Sequence, residues 1–301
     1  MAASAPLLRP ALWTEVWYGR TEGIRRLLAG GASINERGGQ SQCTLLHVAA
    51  LHGHDEILRV LLDLKADFSL TDNDGGGALH WAALHGRLPS ALLLIQSGVD
   101  VSLKDHDGKT PLHAAASMGH MEMIRLLIDK GGDVCAKDIT GITVLHLASR
   151  YGRLEMARLL LEKRADVTAK SNGGSTPMHY AAGEAHGEVV VLLLEHGAER
   201  DVGDTGGWTP IHQAASRGHG AVVRLLLDNG ADEQSRTELG HTPWHLATNQ
   251  QHVQIAAMLQ AEAVRRAHCV AFAMGHHERL GAGSRVRWLD PGVVQMVLEH
   301  V

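Results

Sequence analysis

Thr110-Pro111-Leu112-His113-Ala114-Ala115-Ala116-Ser117-Met118-Gly119-His120 decides how the whole chain is read. Its first histidine, His113, has counterparts at His47, His80, His146, His179, His212 and His245, each 33 residues from the next. The seven copies keep this step without drift. A period of that length, with two helix-sized segments per unit, marks a stacked-repeat solenoid whose units bury their apolar faces on one another.

The local chemistry of the stretch explains its letters. Thr110 is placed to cap a helix, and Pro111 fits the first helical position, where a missing N–H costs nothing. Leu112, Ala115 and Ala116 make a narrow apolar face that lets neighbouring helices approach closely. Gly119 ends the helix, since a left-handed conformation is cheap for glycine. From His120 to Ile128 the apolar spacing predicts a second helix, which Gly131 closes. Residues 132–142, with Asp and Gly, predict a hairpin turn projecting from the stack.

Laid along the chain, this ruler predicts an all-α solenoid with β-hairpin loops, about eight units starting near residues 10, 44, 77, 110, 143, 176, 209 and 242. Residues 1–9 precede it, the repeats occupy 10–263, and 264–301 form a C-terminal helical extension or docking tail. The first unit is degenerate, with Trp13 in the place of the repeat histidine. The last loses its glycine turn to Asn249-Gln250-Gln251, and its second helix is expected to run to about Met274. Both departures suit capping units that face water on one side. Ala185 stands where other units have the turn glycine, a strained choice if the left-handed conformation is kept.

Composition sets outer bounds. The chain has 301 residues, 45% hydrophobic and 20% charged, with a formal net charge of −5 and only two Phe and three Tyr. That profile suits thin helices packed through small residues. It holds no basic stripe, so nucleic acid is not the expected partner. Cys43, Cys135 and Cys269 lie far apart with no metal-ribbon spacing, which points to a reducing compartment. No window is long and apolar enough for a membrane span. The expected location is the cytoplasm, with nucleus or organelle left open.

The motif T-P-L-H-x-A-A-x-x-G-H, followed by an apolar second-helix run and G-A-D, resembles the ankyrin-repeat family over about residues 10–260. The resemblance implies a helix–turn–helix unit with a hairpin at right angles, and a concave face of hairpin tips and first helices that binds proteins. It also implies a structural role for the seven repeat histidines, joining backbone loops of neighbouring units. Fold is specified sharply by this resemblance and function hardly at all.

Chemical readings weaken on inspection. Successive repeat histidines sit about one helix spacing apart, roughly 10 Å, too far to share a metal ion at bonds of about 2 Å. His268, Cys269, His276 and His277 have ligand chemistry but no familiar spacing. No G-x-S-x-G, Walker A or H-E-x-x-H motif occurs, so no enzyme, cofactor or metal is expected. Asn35 resembles the hairpin asparagine that hydroxylases modify in this family, and equally a plain turn asparagine.

The expected function is therefore a non-enzymatic scaffold or adaptor, a monomer or a subunit of a hetero-complex, binding a protein along its inner surface. Expected contact residues are Met118, Ile139, Ile142, Arg150, Tyr151, Trp208 and Arg217, with Trp81, Tyr180 and Gln213 bordering the same groove. Large apolar, aromatic and Arg side chains at such places carry most interface energy. For Ile142 and Trp208 the alternative is packing of one hairpin on the next. Two further readings stay open. Residues 286–298 resemble the opening of an F-box, which would make the chain a substrate receptor of a ubiquitin ligase with the tail as recruiting element. The chain could otherwise be a fixed subunit of a larger assembly.

Overall fold

The structure, a computed structural model, describes the backbone of residues 11–277 and the side chains of residues 11–269. The tail reading at 286–298 lies outside the described residues.

Helices come in pairs at the repeat period. They are α1 (Ala11–Trp17) and α2 (Thr21–Ala29), α3 (Leu45–His52) and α4 (Asp55–Asp63), α5 (Ala78–Leu84) and α6 (Leu88–Gln96), α7 (Pro111–Met118) and α8 (Met121–Asp129). The series continues with α9 (Val144–Arg150) and α10 (Leu154–Glu162), α11 (Pro177–Gly183) and α12 (Gly187–Glu195), α13 (Pro210–Arg217) and α14 (Gly220–Asp228), and α15 (Pro243–Asn249) and α16 (Val253–His277). They fall into two compact bodies. One holds the described residues up to Ala148 with Arg158–Asp166; the other holds Ser149–Ala157 and the described residues from Val167 on.

Within each body, first helices pack in series on first helices and second on second: α1, α3, α5, α7 and α2, α4, α6, α8 in one, α11, α13, α15 and α12, α14, α16 in the other. The paired alanines make this possible. Ala82, Ala83, Ala115 and Ala116 in the first body, and Ala181, Ala182, Ala214 and Ala215 in the second, have no exposed surface. Leucines such as Leu79, Leu94 and Leu127 fill the space between helix layers. Each contributes about 1.5–3 kcal/mol by leaving water.

The connections differ from the expected hairpins. Strand pairing occurs once among the described residues, where β1 (Arg37–Gly38) runs antiparallel to β2 (Cys43–Thr44). Elsewhere the loop closes as a five-residue turn. Asp105 N–H bonds to Lys109 O at 2.9 Å, and the carboxylate of Asp105 accepts from Lys109 N–H at 2.8 Å. The Asp side chain thus supplies the second bond that a strand ladder would have made. Asp72, Asp138 and Asp204 act alike on Gly76, Ile142 and Trp208, and Ser171 and Thr237 do so with a hydroxyl.

Turn tips are stitched to one another. His106 N–H donates to Asp74 O and Ile139 N–H to Asp107 O in the first body; Thr205 N–H donates to Gly173 O and Glu238 N–H to Gly206 O in the second. Gly108 shows why glycine holds the tip: φ is +75°, and an added Cβ would lie 2.9 Å from Ile139 N.

Ala185 keeps the left-handed turn, at φ +63°. An L side chain there costs roughly 1 kcal/mol against glycine. Ala185→Gly should raise stability by about that amount, read as a higher urea midpoint. A lowered midpoint would show that unfolded-state entropy outweighs the strain.

At the C-terminal end, α16 buries Ile255, Leu259, Ala263 and Ala267, one row at four-residue spacing. It passes residue 263 without a break. Arg266 ties it back to the seventh repeat, donating to Ala231 O at 3.1 Å and lying 2.6 Å from the buried Glu233 carboxylate. Burial raises the Glu233 pKa, and the Arg266 charge opposes that rise. Among the described residues no helix is long and apolar enough to cross a membrane, and no cluster of His, Cys, Asp or Glu could hold a metal ion.

Candidate protein-binding surface

The repeat histidines are framework. In four of the copies, His47, His113, His179 and His212, the ring Nδ1 accepts from the preceding Thr N–H at 3.0–3.2 Å and lies 2.8–2.9 Å from that Thr hydroxyl. The third copy has Gly77 in place of Thr and keeps only the N–H bond to His80. An N–H can only donate, so Nδ1 is the acceptor and the proton sits on Nε2. Each Nε2–H then reaches one turn on: His47 to Gly76 O, His80 to Lys109 O, His113 to Ile142 O, His179 to Trp208 O, His212 to His241 O. Burial lowers the pKa of all five, and the bond to the carbonyl partly offsets it. His146 makes the same contacts with Thr143. His245 bonds to Thr242 but is exposed, since among the described residues no further turn covers it.

A second ladder went unread in the sequence. His54, His120, His186, His219 and His252 also recur at multiples of 33, each opening a second helix. Each Nε2 meets a carbonyl at the end of the preceding first helix: Trp17 O, Leu84 O, Arg150 O, Gly183 O and Ser216 O respectively. Arg87 makes the equivalent bond to Leu51 O. Twelve of the 21 histidines are thereby structural. The period itself was the available signal.

The expected contact residues divide between the bodies. In the first, Trp81 is half-buried and donates its indole N–H to Asp72 at 2.7 Å, its ring edge against His47. Met118 and Ile139 are exposed, at 54% and 61%. Ile142 is half-buried, its N–H on Asp138 and its carbonyl on His113. Asn35 accepts from Asp67 N–H in the next turn, as Asp201 does from Asp232 N–H. Both act as turn-to-turn links.

In the second body several residues converge on a groove of about 290 Å³. Its lining is Arg150 and Ser175, then His179, Tyr180 and Gly183 from α11 with Glu184 beyond it, and Gln213 and Arg217 from α13. Arg217 is held in place, donating to Gly183 O at 2.9 Å and to Glu184 at 2.6 Å. This pair is about half exposed, so it adds at most about 1 kcal/mol to stability and mainly fixes geometry. Arg150 lies over the ring of Tyr151 at 5.8 Å, and Arg153 over the same ring at 5.3 Å. Tyr151 is 45% exposed. Trp208 stays outside this groove, half-buried, with its backbone committed to Asp204 and His179. Two exposed apolar residues, Leu239 at a turn tip and Val253 at the start of α16, were not anticipated.

The comparisons agree with this geometry. A family model described as ankyrin repeats matches residues 12–105, 79–171, 136–204 and 178–270. No curated protein matches the chain.

Proposed function

The chain belongs to the ankyrin-repeat family, whose repeats are generally protein–protein interaction modules, and we propose that it is a non-enzymatic scaffold or adaptor binding one protein partner. The observation that carries this reading is the groove of the second body. The carbonyls of Arg150, Ser175, Tyr180 and Gly183 are bonded into the repeat framework, while the side chains of Arg150, Tyr151, Tyr180, Gln213 and Arg217 border or line open space. Tyr and Arg are the residues that most often supply interface energy. The framework bonds hold them in place before binding, so little ordering entropy opposes association. Met118 and Ile139 on the first body are proposed as further contacts; Trp81, Ile142 and Trp208 contribute mainly to the packing beneath. We place the protein in the cytoplasm, a reading that the wide spacing of Cys43, Cys135 and Cys269 along the sequence supports.

Tyr151→Ala tests the reading, since this ring is exposed and little packing depends on it. Affinity capture with the wild-type chain, followed by mass spectrometry, identifies the partner. The variant should lose that partner while its melting temperature shifts by no more than about 2 °C. Undiminished capture would remove Tyr151 from the interface and leave the groove reading without its exposed anchor.

A further inference from the structure

We propose that the groove of the second body receives one aspartate or glutamate side chain from an extended segment of the partner. This rests on the binding-surface reading above and adds its chemistry. Charge comes first. Arg150 and Arg217 contribute +2 and Glu184 −1, leaving +1 in the groove. Arg217 is already engaged by Glu184 and Gly183 O. Arg150 has no carboxylate within ion-pair reach among the described residues; its neighbour is the Tyr151 ring, which leaves its donors open. The Gln213 amide likewise carries no hydrogen bond to another described residue, so Arg150 and Gln213 both bring open donors to the groove. A carboxylate supplies two acceptor oxygens and matches the planar fork of a guanidinium.

Size and charge narrow the choice. About 290 Å³ is roughly ten water volumes, room for one or two side chains and at the small end of ligand pockets. One carboxylate cancels the excess charge. A phosphoryl group at −1.5 to −2 would overshoot it and be repelled more strongly by Glu184 in the lining. The lining also spans α11 and α13, neighbouring first helices roughly 10 Å apart, with Arg150 beside them. At about 3.3 Å per residue, three extended residues cross that step. A short strand-like segment with a single acid that meets Arg150 fits this path.

The test uses the full chain as bait for a phage-displayed library of random peptides about a dozen residues long. Enriched peptides are synthesised and measured by fluorescence anisotropy against wild type, Arg150→Gln and Tyr180→Ala. The expected result is a fixed Asp or Glu in the enriched set. Arg150→Gln should weaken such peptides about tenfold, and so should Asp→Asn or Glu→Gln in the peptide. Combining the two changes should cost little more than either alone, the signature of a direct pair. Raising the salt should weaken binding as well. Peptides that bind Arg150→Gln as well as wild type, yet fail on Tyr180→Ala, would overturn the acid recognition and leave the binding surface standing. A phosphoserine peptide that outcompetes its glutamate counterpart would overturn the choice of carboxylate. An empty selection, or peptides indifferent to both variants, would overturn this inference and the groove reading together.

Discussion

His113→Ala should destabilise the chain by about 2–4 kcal/mol, whereas His245→Ala should cost about 1 kcal/mol or less. The two histidines occupy the same place in the repeat and differ in what surrounds them. His113 is 2% exposed, accepts from Thr110 N–H and donates to Ile142 O. Removing the ring leaves Thr110 N–H buried without an acceptor, a loss of about 1–3 kcal/mol. It also cuts the link to the next turn and opens a cavity whose walls cannot close fully. Ile142 O keeps Asp138 N–H, so the carbonyl is not orphaned. His245 bonds only to Thr242 and faces solvent, where water replaces the ring. Urea unfolding of both variants beside wild type decides the matter. Equal losses would mean that the turn-to-turn bond and the burial of the ring add nothing to the Thr bond that both histidines share.

How far the sequence could be read follows from the same residues. The 33-residue step located the helix pairs, because Thr, Pro, His, paired Ala and Gly each answer a local requirement that repeats in every unit. Ala185 was legible in this way as a left-handed residue. The second histidine ladder obeyed the same period but was passed over, since a histidine after a glycine turn has no local reason to be there. Its reason lies in the carbonyl of the preceding first helix, 36 residues back for four of the five, which only packing reveals. The turns were read as hairpins because Gly and Asp occur in both; what decides is that Asp72, Asp138 and Asp204 each accept two backbone N–H groups, and Asp105 one, within the turn. Trp81 was read as bordering the groove from its place after the repeat histidine, and its bond to Asp72 depends on turn geometry nine residues away. Arg150, Tyr180, Gln213 and Arg217 were legible as variable positions on one face. That Arg217 is spent on Glu184 while Arg150 is not could be learned only from side-chain positions.

Stability should fall as the pH drops below the ordinary histidine range, and the fall should be steep. His47, His80, His113, His179 and His212 have pKa values lowered in the folded chain, burial being the largest cause in each. In the unfolded chain they return to about 6.5. Below that value the unfolded state binds more protons than the folded one, so unfolding becomes easier with each proton added. The stability these rings support is complete above about pH 7 and is lost as the pH falls through 6.5 towards their folded values. Each ring can cost at most about 1.4 kcal/mol per pH unit in that window. For five rings the ceiling is five times that, and the measured slope reports how much of it the burial realises. His52, His85 and His245 shift in the same direction with less burial. Glu233 works in the opposite sense, since burial raises its pKa, but it is one group against five. A protonated ring would also set a donor at Nδ1 against the Thr N–H, so the acid form cannot keep the native bond. Urea midpoints at about pH 7.5, 6.5 and 5.5 measure the effect, each transition treated separately because repeat arrays can unfold in parts. His113→Gln should flatten the slope, by at most about 1.4 kcal/mol per pH unit, while lowering stability at the upper pH. Midpoints that stay level from pH 7.5 to 5.5 would show that the buried rings take up protons without breaking the turns they join.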